Sequence, residues 1–260
     1  MDRGLLVRMI PMTYQRNAIL GVVQTFSDLP NTLPTEVTSL HGGQRYVVCA
    51  FYTPSYLENV LRLKASLERL GLNYHLKCVE YKGSWEATTR LKPSFVVDCL
   101  NKFPDHDVLY LDADAVVNEK PVFFDTVTTD VALLFAPTKR ARKPLLSLAA
   151  GTLYIRNTLG GRKFAEHWRN QESRSGLLTL DEDMIYMAFP NFEGITFTAL
   201  PRAYSKIFDS EGPDAVIEHF QASRTQFKLS RLLRKGERAV VIASAVLVLA
   251  IIAIIWRQVL

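Results

Sequence analysis

Between residues 46 and 111 the chain alternates short apolar runs with segments of helical period. Residues 46–51 (Tyr-Val-Val-Cys-Ala-Phe) form an uninterrupted apolar run of buried-strand type. Leu57, Val60, Leu63, Leu67 and Leu70 then recur at three- and four-residue intervals, the spacing of a helix with one buried face. Thr53 or Ser55 suits its cap, Pro54 its start, and Gly71 its end. Residues 75–79 predict a second strand. A loop with Gly83 and Trp85 leads to a helix through residues 95–100, which Pro104 breaks, and residues 108–111 predict a third strand. Strand, helix, strand, helix, strand is the grammar of an α/β fold: a Rossmann-like, mostly parallel central sheet with flanking helices. Such sheets bind ligands beyond the carboxyl ends of their strands, where residues 51–53 and 112–114 fall.

Further strands are expected at residues 131–135, at 152–155 after Gly151, and at 215–220. Residues 164–168 read as helical, and 181–189 as a short helix with an acidic start. Residues 1–43 carry few periodic signals and read as an irregular arm. The compact domain is expected over 44–227. A basic segment, 228–238, precedes 18 uncharged residues at 239–256, and 257–260 form a short tail. As a helix, 239–256 would measure roughly 27 Å, close to the thickness of a bilayer core. Arg231, Arg234, Lys235 and Arg238 precede it and only Arg257 follows. The expectation is a single-pass C-terminal membrane anchor with the main domain facing the cytosol.

The net charge of +5 suits phosphate-bearing ligands, and the basic residues are not interleaved with the aromatic pattern of a nucleic-acid binder. Cys49, Cys78 and Cys99 are odd in number and lie in apolar contexts, which fits buried thiols in a reducing compartment. No Asn-x-Ser/Thr acceptor is present, which also fits a cytosolic domain.

Asp112-Ala113-Asp114 closes the third strand-like run. If strand alternation continues through it, the two carboxylates share one side and Ala113 points away, so that together they hold one hard divalent cation. The same string fits an aspartate-nucleophile phosphatase of the haloacid-dehalogenase type, with Asp112 as nucleophile. Against that reading, two strand–helix units precede the motif and no Gly-Asp-x-x-x-Asp string follows. A non-catalytic scaffold of the same fold is the third alternative.

The ordered set of residues 51–53, Lys92-Pro93-Ser94-Phe95, residues 108–114, Gly151-Thr152 through Asn157-Thr158, Trp168, Asp181-Glu182 and the run from His219 to Arg224 resembles the GT-A fold glycosyltransferases. Within that nucleotide-diphospho-sugar transferase superfamily it lies near the glycogenin-like families, small members of which occur in large DNA viruses and bacteria. The resemblance covers roughly residues 44 to 226. It implies transfer of a hexosyl or pentosyl group from a nucleotide-diphosphate sugar to a hydroxyl of a glycan, protein or lipid-linked acceptor. Phe51, Tyr52 and Thr53 would meet the nucleoside. Asp112, Asp114 and His219 would hold Mn²⁺ or Mg²⁺, with Asp112 also reaching donor ribose. Lys92 and Arg224 would contact the diphosphate, and Gly151-Thr152 would line the acceptor side. Asp181 and Glu182 would act on the acceptor hydroxyl, Glu182 departing from the amide usual at that place. The basic run Lys139-Arg140-Ala141-Arg142-Lys143 would contact acceptor phosphates or a membrane surface.

Overall fold

The computed structural model describes residues 32–137, 146–177 and 179–226. The strands are β1 (Glu36–Ser39), β2 (Tyr46–Tyr52), β3 (Tyr74–Cys78), β4 (Asp107–Leu111), β5 (Ala115–Val117), β6 (Val131–Pro137), β7 (Leu146–Ile155), β8 (Phe197–Ala199), β9 (Lys206–Ile207) and β10 (Ile217–His219). The helices are α1 (Leu57–Arg69), α2 (Trp85–Thr89), α3 (Lys92–Lys102), α4 (Phe123–Thr126), α5 (Leu159–Arg169), α6 (Asp181–Ala188) and α7 (Ser223–Gln226).

Seven strands form the main sheet in the order β1-β3-β2-β4-β7-β6-β8. β2 is buried at every position because both of its faces are covered. Val47, Cys49 and Phe51 pack into a core with α3, α5 and α6, while Tyr46, Val48, Ala50 and Tyr52 pack into a second core with α1. The period-two alternation of a strand thus divides one apolar run between two helical layers. In α1, Val60, Leu63 and Leu67 are fully buried, and Gly71 ends the turn at φ +63°, a conformation open to glycine.

The sheet is mixed, not mostly parallel as the sequence suggested. β2 runs parallel to β3 and β4, and β6 to β8, but β1–β3, β4–β7 and β6–β7 are antiparallel. The reversal follows from β7, which returns between β4 and β6. β1 lies in a stretch expected to be irregular; its polar residues and half-exposed pattern carry little strand signal. A second sheet, β5-β10-β9, sits past the end of β4 and decides where the late residues go.

The expected transmembrane helix and membrane localisation are corrected. Among the described residues no helix is long and apolar enough to cross a membrane. α1, with 13 residues, spans only about 20 Å. Residues 239–256 and the basic run 139–143 lie outside the described residues.

Candidate active site

The site begins where the chain leaves β4. After Leu111 it turns, the Ala115 amide donating to the Asp112 carbonyl at 2.9 Å, and re-enters as β5. Asp112 and Asp114 therefore sit in a turn, and the strand alternation expected for them does not apply: Ala113 also lines the adjoining cavity. β5 pairs antiparallel with β10 and places His219 opposite Ala115. This pairing brings a histidine from more than a hundred residues downstream to the two aspartates.

The segment after His219 wraps around Asp114. The Phe220 amide donates to the Asp114 carbonyl at 3.1 Å, and the Ala222 amide to Asp114 Oδ2 at 2.7 Å. Gln221 between them adopts φ +50°, a left-handed conformation uncommon for a side-chain-bearing residue. Burial pushes the Asp114 carboxyl upward, but His219 and the Ala222 amide pull it further the other way, so it lies below its usual range.

Asp112, Asp114 and His219 each offer one ligand atom, all within 4.8 Å of one another. Two carboxylates and an imidazole suit Mn²⁺ or Mg²⁺ as a donor set. Gly151 backs this group: a Cβ there would stand 3.1 Å from Asp112 Oδ2 and 3.1 Å from His219 Cε1. Its missing side chain leaves room for a small ion between them. Thr152, fully buried, sets its hydroxyl 2.8 Å from His219 Nε2, while His219 Nδ1 lies 3.9 Å from Asp114 Oδ1. Gly151 and Thr152 thus stand behind the carboxylate–histidine group, and Gly151 also lines the adjoining cavity.

Lys92, at the start of α3, is 3% exposed. Its ammonium lies 2.9 Å from Asp112 Oδ1 and 2.5 Å from Asp181 Oδ2, and donates to the Ala150 carbonyl at 3.0 Å. It also lies 4.9 Å from the centre of the Tyr110 ring, whose hydroxyl donates to Asp112 Oδ1 at 3.1 Å. Burial pushes the ammonium down, but the Asp112 and Asp181 charges more than offset this and hold it well above its usual range. Asp181 is seated by Trp168, whose indole nitrogen donates to the Asp181 carbonyl at 3.0 Å. Glu182 accepts from the Ala150 amide at 3.3 Å. Burial, and then the neighbouring Asp181 charge, push its carboxyl up to about 7. Asp183 is bound to the helix end, accepting from the Leu180 amide at 3.0 Å.

Lys92, Asp112, Asp114, Asp181, Glu182 and His219 line one cavity of about 410 Å³. Phe51, Tyr52 and Thr53 line it at the end of β2, each under 10% exposed, with Phe51 in edge contact with Phe95. Trp85, Thr88 and Thr89 extend that wall. Arg224 is not on the wall. It pairs with Asp209 at 2.5 Å and lies over the Phe208 ring. Arg202 and Lys206 line the cavity and were not singled out in the sequence, where nothing distinguishes them from surface charge. Tyr110 and Thr152 were missed as partners because each looks like an ordinary strand residue.

No family model and no curated protein sequence matches the chain. Solved structures do. A glycosyltransferase involved in the glycosylation of the major capsid of PBCV-1 superposes with a TM-score of 0.55 at 14% identity, covering 69% of this chain and 94% of that one. The chain shares its fold with that glycosyltransferase. The apo form of glycosyltransferase GlyE from Streptococcus pneumoniae TIGR4 aligns at a TM-score of 0.46 and 16% identity, over 69% of this chain and 55% of that one, too distant to add to the argument. At such identities the likeness is one of fold.

Proposed function

We propose that this protein transfers a glycosyl group from a nucleotide-diphosphate sugar to an acceptor hydroxyl, using Mn²⁺ or Mg²⁺ held by Asp112, Asp114 and His219. The observation that carries this reading is their convergence on one edge of a 410 Å³ cavity in a glycosyltransferase fold. A divalent ion bound there supplies Lewis-acid neutralisation of the departing diphosphate.

The chain supplies the rest. The Phe220–Ala222 turn fixes Asp114, and Thr152 fixes the imidazole of His219. Phe51, Tyr52 and Thr53 hold the nucleoside at the end of β2. Asp181 and Glu182 face the acceptor. A carboxyl titrating near 7 takes a proton from the acceptor hydroxyl at neutral pH, the role assigned to Glu182. The acceptor is a glycan or another hydroxyl-bearing molecule. The phosphatase alternative leaves His219 without a role.

A thermal-shift panel of nucleotide sugars, each with and without Mn²⁺, tests the proposal, since a native-state ligand raises the melting temperature by mass action. One nucleotide sugar is expected to raise it only when Mn²⁺ is present. A folded protein that no nucleotide sugar stabilises, with or without metal, contradicts the proposal.

A further inference from the structure

We infer that Lys92 is a positioning residue that couples the cation-binding carboxylate Asp112 to the acceptor-side carboxylate Asp181, and that it donates no hydrogen bond to substrate. This rests on the proposed function only in naming the two sides of the site.

An ammonium has three N–H donors. Lys92 Nζ has three protein oxygens within 3.0 Å: Asp112 Oδ1 and Asp181 Oδ2 as ion pairs, and the carbonyl of Ala150 as a hydrogen-bond acceptor. With 3% of the residue exposed, no donor remains for a diphosphate. The contacts also sort the two oxygens of Asp112. Oδ1 is occupied by Lys92 and the Tyr110 hydroxyl. Oδ2 is the atom facing Gly151, on the side where His219 approaches. Lys92 and Tyr110 therefore decide which oxygen is presented to a cation, as outer partners of a metal ligand do.

The same ammonium ties the turn after β4 to α6 from its seat on α3. Asp181 is fixed from its other end by Trp168, and the main chain of Ala150 is held at both of its polar groups, its carbonyl by Lys92 and its amide by Glu182. One charge is thus shared between two carboxylates. If Asp181 loses its charge, the ammonium is left to Asp112 alone and competes more strongly with a cation for that carboxylate. The orientation of Asp112 thus depends on a residue that binds no cation itself.

The test is a double-mutant cycle on Mn²⁺ binding, read by the electron paramagnetic resonance of free Mn²⁺ with the full chain and no sugar nucleotide. Asp181→Asn is expected to weaken Mn²⁺ binding about tenfold in the wild-type background. In the Lys92→Met background the same substitution is expected to change it by less than about twofold, because the coupling is gone. Equal effects in both backgrounds would mean that the Asp181 charge acts through space, and would overturn the inference. Should Lys92→Met fail to fold, Asp181→Asn is compared at pH 8 with Glu182→Gln, which removes a neighbouring charge that does not touch Lys92. Only the former is expected to weaken Mn²⁺ binding; equal weakening overturns the coupling. Absence of Mn²⁺ binding by the wild type also overturns it. Sugar transfer is scored separately by donor turnover, so either idea can fail while the other stands.

Discussion

The hydroxyl of Thr152 lies 2.8 Å from His219 Nε2, and this contact leaves Nδ1 as the ring nitrogen turned toward Asp114. A ligating histidine is held in orientation and tautomer by the partner of its other nitrogen. Thr152→Val keeps the shape and removes the hydroxyl. It is expected to weaken Mn²⁺ binding about tenfold, measured by titration in the absence of donor. Unchanged affinity would remove Thr152 from the site.

Gly151 supports the same group by lacking a side chain. In Gly151→Ala the new methyl would press on Asp112 Oδ2 and His219 Cε1, both 3.1 Å from the ideal Cβ position. These are side-chain atoms, so the fold adjusts at a cost of about 1–3 kcal/mol while the cation site closes. The expected result is a melting temperature a few degrees lower and a much larger loss of Mn²⁺ affinity. A variant that binds Mn²⁺ as the wild type does would contradict this placement.

How much of this was legible in the sequence varies by residue. The β2–α1–β3 unit and β4 were readable because apolar runs and a three-four spacing each match one period. Asp112, Asp114 and His219 were nominated together by resemblance, and the β5–β10 pairing gives the physical reason they meet. Lys92 was expected to contact the diphosphate; its pairing with Asp181 was not legible, since a sequence does not reveal that Asp181 lies across from it. Arg224 was expected to contact the diphosphate; it pairs with Asp209, fifteen residues earlier, a partner the sequence did not reveal. The Rossmann-like core was legible, while the mixed sheet was not, because strand direction depends on where β7 returns.

Glu182 gives a pH signature in the metal-free protein. Its carboxyl is raised from 4.5 to about 7 in the folded state, so the folded protein favours the protonated form. The stability this contributes is fully present below about pH 4.5 and is lost as pH rises through 7. Thermal melts of wild type and Glu182→Gln from about pH 5 to 8 should therefore diverge, the variant becoming the more stable above pH 7. Parallel curves would show that Glu182 titrates normally.

Trp168 fills the core beside Asp181 with no exposed surface and donates its indole N–H to the Asp181 carbonyl. Trp168→Phe removes that donor and leaves a buried carbonyl with one partner fewer. The expected loss is about 1–3 kcal/mol in denaturant unfolding, together with reduced turnover as Asp181 loosens. A variant as stable as the wild type would mean that the hydrogen bond does not anchor α6.

The central claim concerns Asp114, the more buried of the two carboxylates and the one gripped by the turn after β10. The most direct measurement is donor turnover by the full chain with and without Mn²⁺, comparing wild type with Asp114→Asn. Asparagine keeps the oxygen that accepts from the Ala222 amide, and a melting curve confirms the fold. The account predicts Mn²⁺-dependent cleavage of one nucleotide sugar by the wild type and a loss of at least about 100-fold in the variant. Turnover that needs no divalent ion, or that survives unchanged in Asp114→Asn, would contradict it.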